Sequence, residues 1–116
     1  MTKPLSQRRC KSCEGGVEAM NQSAINDHLE QVAEHWKLSE DGKAISAEFT
    51  FRNYYQTTAF INAIAWVAHQ EDHHPDISFG YKTCTVLWST HAVGGLSEND
   101  FICAAKVDLL CDDSDS

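Results

Sequence analysis

Asp41-Gly42 stands directly ahead of a run, "KAISAEFTF", in which the apolar period is two. Ile45, Ala47, Phe49 and Phe51 alternate with Ser46, Glu48 and Thr50, as a strand buried on one face requires. That alternation constrains the chain most, because a strand with one apolar face needs neighbours beside it and a layer above it. Asp-Gly is a two-residue hairpin signal, since both residues tolerate the positive φ of a type I′ turn. It predicts a strand pair around residues 36–51. A second such pair is read in "ISFGY" and "TCTVLWSTH", turning between Gly80 and Lys82. On its longer strand Thr83, Thr85, Leu87, Ser89 and His91 share one face, and Cys84, Val86, Trp88 and Thr90 the other.

Between and around these strands the period changes to that of a helix. Ile25, Leu29, Val32, Ala33 and Trp36 form one stripe, capped by Asn21 or Ser23. Phe60, Ile64, Val67 and Ala68 form a second, with Asn53 as its cap and Gln56 placed to complete a capping-box pair. Pro75 disfavours helix at His74, so this helix must unwind at or before His73 and His74. Ser97 opens a third helix, with Glu98 and Asp100 in its first turn and Phe101, Ala105 and Leu109 as its inward stripe. The order α-β-β-α-β-β-α predicts an α+β fold: a four-stranded antiparallel sheet with three helices packed on one face. Its edge strands would invite pairing with another subunit.

The chain has 116 residues, enough for one domain that buries roughly 65% of its unfolded surface. Residues 1–20 lack periodicity and are expected to be an irregular lead-in. Residues 21–111 make the single domain, and 112–116 an acidic, frayed tail. No apolar run is long enough for a membrane span, and "MTKPLSQRRCKSCEGG" has no apolar core of a secretory signal, so the expected location is the cytoplasm. With 17 acidic and 9 basic residues the net charge is −8, which repels a phosphate backbone and argues against direct nucleic-acid binding. The odd number of cysteines, five, fits reduced thiols better than a disulfide framework. Cys84 and Cys103 read as small buried hydrophobes, and Cys10-x-x-Cys13 as half of a zinc site with no partner motif.

Four of the six histidines fall between His69 and His91. His28 and His35, on the first helix, read as surface residues. A metal reading has His69 and His73 at the i, i+4 spacing, but "HQEDH" lacks a glutamate next to the first histidine, and His74 cannot point the same way as His73. An acid/base reading uses imidazoles that titrate near neutral pH, so that neighbours can hold opposite protonation states. Two at a helix–strand junction and one on an adjacent strand would line one pocket, with Asp72 able to fix a tautomer. Spacing alone does not name the substrate.

"DHHP", "STH" with its histidine 17 residues after His74, and "GLSENDF" together resemble the signature of the pterin-4a-carbinolamine dehydratases. "FTFRNYYQTTAFINAIAWVA" resembles that family's strand and long helix, and "FICAAKVD" its closing helix, so that the resemblance covers roughly residues 22 to 110. The lead-in resembles the start of some bacterial members. The resemblance implies a hydro-lyase that converts 4a-hydroxytetrahydropterin to quinonoid dihydropterin with no cofactor or metal, the pterin being the substrate. It implies catalytic roles for His73, His74 and His91, and pterin contacts from Asp72, Ser89 and Thr90 as well as from these histidines. It implies recycling of the pterin cofactor of an aromatic amino acid hydroxylase, and assembly as a homodimer or homotetramer. One departure is His69, a possible site neighbour that stands where the family often has glutamate. Two other roles are open: a dimerisation cofactor of a transcription regulator, since an animal member has that role, and a histidine-based metal-binding protein.

Overall fold

The computed structural model describes residues 4–11 and 18–111, without the Cys111 side chain. Cys13 and the acidic tail lie outside the described residues. Helix α1 spans Gln22–Leu29, strands β1 and β2 Lys37–Leu38 and Ile45–Thr50, and helix α2 Tyr54–Glu71. Strands β3 and β4 follow at Asp76–Phe79 and Thr83–Trp88, and helix α3 closes the order at Glu98–Cys111. The four strands form one antiparallel sheet in the order β1-β2-β4-β3. The expected α-β-β-α-β-β-α fold is therefore the observed one.

The alternation in β2 works as its pattern demands. Ile45, Ala47 and Phe49 are buried, and on the paired strand so are Cys84, Val86 and Trp88. Onto this face pack Phe60 and Ile64 of α2 and Phe101, Ile102 and Val107 of α3, in one continuous core. Phe49 and Phe60 meet with ring centroids 4.8 Å apart. Cys84 and Cys103 are fully buried in that core, as small hydrophobes are.

Four local expectations need correction. Asp41-Gly42 does turn the β1–β2 hairpin, but only Gly42 takes a positive φ (71°). Asp41 uses its side chain instead, accepting from Ser39 Oγ at 2.6 Å and from the Lys43 N–H at 3.0 Å, and the Ser39 N–H bonds the Ala44 carbonyl to close a wider loop. Those bonds hold its carboxyl below the usual value, the Ser39 hydroxyl contributing most. Helix α1 stops at Leu29 rather than running to Trp36, because Trp36 must reach across to α3, where its Nε1 donates to Asp108 at 3.0 Å. His28 is not a surface ornament: it is half-buried, its Nε2 3.2 Å from Glu98 Oε2 and its ring against Phe101. Leu109 is exposed, whereas Ile102, Cys103 and Ala104 are buried. Helix α3 is covered on a second side by residues 4–11, whose 3-10 turn Leu5–Gln7 seats the buried Leu5 in the core.

Helix α2 carries its cap where expected. Asn53 Oδ1 accepts the Gln56 N–H at 2.9 Å, and Gln56 Oε1 reaches back to the Arg52 N–H at 3.0 Å, one residue earlier than an ideal capping box. Asn53→Ala should cost about 1 kcal/mol of stability, read as a lower denaturant midpoint at an unchanged slope. An unaltered midpoint would mean that the cap bond contributes nothing.

Candidate functional site

The end of α2 determines how the first two histidines are presented. Asp72 follows the last helical residue with φ 52°, the one non-glycine residue with positive φ among those described, a conformation that Asp tolerates better than most. The His73 N–H then bonds back to the Ala68 carbonyl at 3.2 Å, five residues earlier, closing a Schellman-type end. Pro75 keeps the chain extended into β3, so consecutive side chains diverge. His73 turns inward and is 5% exposed, while His74 faces solvent.

The third histidine comes from the other side of the sheet's end. Thr90, just beyond β4, is buried and makes an isolated bridge with Gly95. His91 opens a 3-10 turn, His91–Val93, that closes at Gly94 (φ 67°). It is therefore not a strand residue, as the alternation through "STH" suggested, and its ring is exposed. Asp72, His73, His74, Ser89, Thr90, His91 and Ala92 surround a single cavity of about 220 Å³. A neighbouring cleft of about 310 Å³ shares Ser89, Thr90 and His91 and extends toward Asp41 and Lys43 of the hairpin loop.

Beneath the cavity lies a network that the periodic pattern did not reveal. The His73 ring stacks on Trp88 with centroids 5.5 Å apart and planes within 12°. Its Nε2 donates to Asp100 Oδ1 at 2.6 Å, both groups being buried. Asp100 Oδ2 accepts from Thr90 Oγ1 at 2.8 Å and from the Ser97 N–H at 3.0 Å, and Thr90 Oγ1 lies 2.8 Å from Ser97 Oγ. One carboxylate thus ties the α2 end, the strand end and the start of α3 together. It also fixes the His73 tautomer, because an oxygen that accepts requires hydrogen on Nε2. For His73 it is Asp100, on helix α3, that has this role. Its signal was present in the sequence as Ser97-x-x-Asp100, a capping box in which the acid accepts from the cap residue's N–H.

His69 does not line the cavity. The left-handed turn at Asp72 breaks the i, i+4 relation to His73, and His69 is exposed with its ring 5.8 Å from that of Trp66. Glu71 faces elsewhere, as its position two residues on implies: it is buried and paired with Arg9 at 2.9 Å. His28 and His35 stand apart from the cavity, held to Glu98 and Asp108. Among the described residues no three His, Cys, Asp or Glu side chains converge to hold a metal ion, and no helix is long and apolar enough to cross a membrane. What the arrangement offers chemically is two exposed imidazoles and one locked imidazole around a small cavity.

Comparison with known proteins gives this geometry a context. Residues 18–110 match the profile of the family described as "Pterin 4 alpha carbinolamine dehydratase". A Nitrosomonas eutropha protein is 57% identical over 106 residues, covering 91% of this chain and 92% of its own length. One from Legionella pneumophila is 50% identical over 110 residues, covering 95% and 97%. Both carry the name "putative pterin-4-alpha-carbinolamine dehydratase". Among solved structures, a "transcriptional coactivator/pterin dehydratase" from Brucella melitensis is similar with a TM-score of 0.76 at 26% identity, over 80% of this chain and 98% of that one. A "pterin dehydratase-like protein" described as a RuBisCO assembly factor in the alpha-carboxysome reaches 0.58 at 27% identity, over 70% and 96%.

Proposed function

The chain belongs to the pterin 4 alpha carbinolamine dehydratase family and is a hydro-lyase, and on that premise we propose that His73, His74 and His91 remove water from 4a-hydroxytetrahydropterin by acid/base catalysis. The observation that carries the residue assignment is a cavity lined by all three histidines together with Asp72, Ser89 and Thr90. The 4a-hydroxyl is a poor leaving group until it is protonated. As the C4a–O bond breaks, a ring nitrogen must lose its proton so that the new C=N bond can form. Two groups are needed, one giving a proton and one taking it. His74 and His91 are exposed at the cavity, where both rings are within reach of a bound substrate, which suits them to these two transfers. His73, locked by Asp100 and Trp88, is the third member of the set, held in one tautomer and one orientation against the substrate ring so that its hydrogen-bonding role depends on that tautomer. No metal or organic cofactor is required by this chemistry.

The physiological setting we propose is the return of spent pterin from an aromatic amino acid hydroxylase, in the cytoplasm, by a homodimer or homotetramer. The open edges of β1 and β3 suit the assembly, since each leaves backbone groups available for a second chain. A second reading, a dimerisation cofactor for a transcription regulator, is favoured by the likeness to the Brucella protein described as a transcriptional coactivator/pterin dehydratase. It gives the histidine cavity no task, which is why the dehydratase reading is preferred.

The binding half of the proposal is tested with 7,8-dihydrobiopterin, a stable relative of the product, in an NMR titration of the histidine ring signals. His73, His74 and His91 should shift together with saturation, leaving His28 and His35 in place. Shifts confined to His35, which lines a separate groove on the sheet with Lys37 and Glu48, would move the pterin site elsewhere.

A further inference from the structure

The family profile begins at residue 18, so the strap formed by residues 4–11 lies ahead of the matched region. Its bonds reach the flanks of the histidine cavity on both sides. The Cys10 N–H donates to Glu71 Oε1 at 2.7 Å, next to Asp72, and Arg9 Nε pairs with Glu71 Oε2 at 2.9 Å. Lys11 and Asn99 exchange two bonds, the Lys11 N–H to Asn99 Oδ1 at 3.0 Å and Asn99 Nδ2 to the Lys11 carbonyl at 2.9 Å. Asn99 adjoins Asp100, the residue that holds His73. At the centre of this strap Cys10 Sγ lies 3.6 Å from Cys103 Sγ of α3.

We propose that Cys10 and Cys103 are a thiol-oxidation site, closing to a disulfide that fastens the strap to α3 beside the histidine cavity. The sulfurs need to approach from 3.6 Å to the bonded length of about 2.05 Å, a movement the exposed strap can supply. The two thiols have different parts. Cys10 is partly exposed and is the entry point for oxidant, whereas Cys103 is fully buried. The hydrogen bond that its S–H donates to Cys10, and then burial, push the Cys103 thiol far above its ordinary value, so it is inert to reagents in solution until Cys10 is activated.

With hydrogen peroxide as oxidant, Cys10 sulfur attacks one oxygen, the O–O bond breaks, and a sulfenic acid and one water result. Cys103 sulfur then displaces the hydroxyl from Cys10: the S–S bond forms, the S–O bond breaks, and the departing hydroxide takes the Cys103 proton as a second water. Two thiols surrender two electrons and one peroxide is reduced to two waters. A dithiol reductant reverses the change.

The test is to treat the full native chain with stoichiometric hydrogen peroxide, block remaining thiols and map the peptides. The expected result is a Cys10–Cys103 link, reversed by dithiothreitol, with a Tm rise on the order of 10 °C because the closed loop is long. Amide exchange at Cys10 and Lys11 should slow. Cys103→Ala should lose both link and Tm rise. Because that variant opens a core cavity, Cys10→Ser on the strap provides the same readout with the core intact. A bridge from Cys10 to Cys13, or Cys103 still a free thiol once the peroxide is consumed, would overturn the proposal.

Discussion

Replacing Asp100 with alanine is expected to lower stability by about 3–5 kcal/mol and to abolish most activity, the larger effect coming from what is left behind. The Asp100 carboxylate is fully buried and accepts from three donors: His73 Nε2, Thr90 Oγ1 and the Ser97 N–H. Removing it takes that acceptor from His73 Nε2 and the Ser97 N–H and leaves Thr90 Oγ1 only Ser97 Oγ, and each buried donor that loses its acceptor costs about 1–3 kcal/mol. Denaturant unfolding measures this. Asp100→Asn separates structure from chemistry. The amide has one oxygen, and the Ser97 N–H can only donate, so the oxygen must face Ser97 and Thr90. Its NH₂ then meets His73 Nε2, which must become an acceptor, and the His73 tautomer inverts. That variant should stay folded while kcat/KM falls by about 10²–10⁴. An Asp100→Ala protein as stable as the native chain would show that this network does not hold the site together.

His74→Ala should have the opposite profile. The side chain is exposed, so stability should move by no more than about 0.5 kcal/mol. If His74 transfers a proton to or from the substrate, kcat should drop by about 10²–10⁴, with a smaller change in KM. The contrast matters, because a residue that only shapes the cavity would raise KM and leave kcat alone. Steady-state kinetics across substrate concentration distinguishes the two. A His74→Ala enzyme with native kcat would remove His74 from the chemistry.

The parts of the fold that were legible in the sequence are those set by local pattern. Period-two alternation in Ile45–Phe51 placed β2 and its buried face, and Pro75 ended α2 before the histidines. Asn53 was found as a cap, and Asn21 as one of two candidates beside Ser23, because capping depends on residues three apart. What the pattern missed depends on residues distant in sequence. Trp36 fitted a helical stripe but is claimed by Asp108, 72 residues away, so α1 ends early. Leu109 fitted the stripe of α3, yet the strap packs on that helix and moves its buried faces toward Ile102 and Cys103.

The site divides along the same line. "DHHP" and "STH" identify the residues around the cavity, because a helix end and a strand end each present adjacent positions. The exclusion of His69 depends on one left-handed residue, Asp72, which spacing does not encode. Asp100 was visible only as a helix-start acid. Its bond to His73 spans 27 residues and needed the fold to bring α3 under the end of α2.

The most direct test of the central claim is the dehydration rate of freshly generated 4a-hydroxytetrahydropterin, followed by stopped-flow absorbance with and without the native chain. A rate well above the uncatalysed one, saturating with substrate and lost in His74→Ala and His91→Ala proteins that remain folded, is the predicted result. A native chain that leaves the uncatalysed rate unchanged would contradict it.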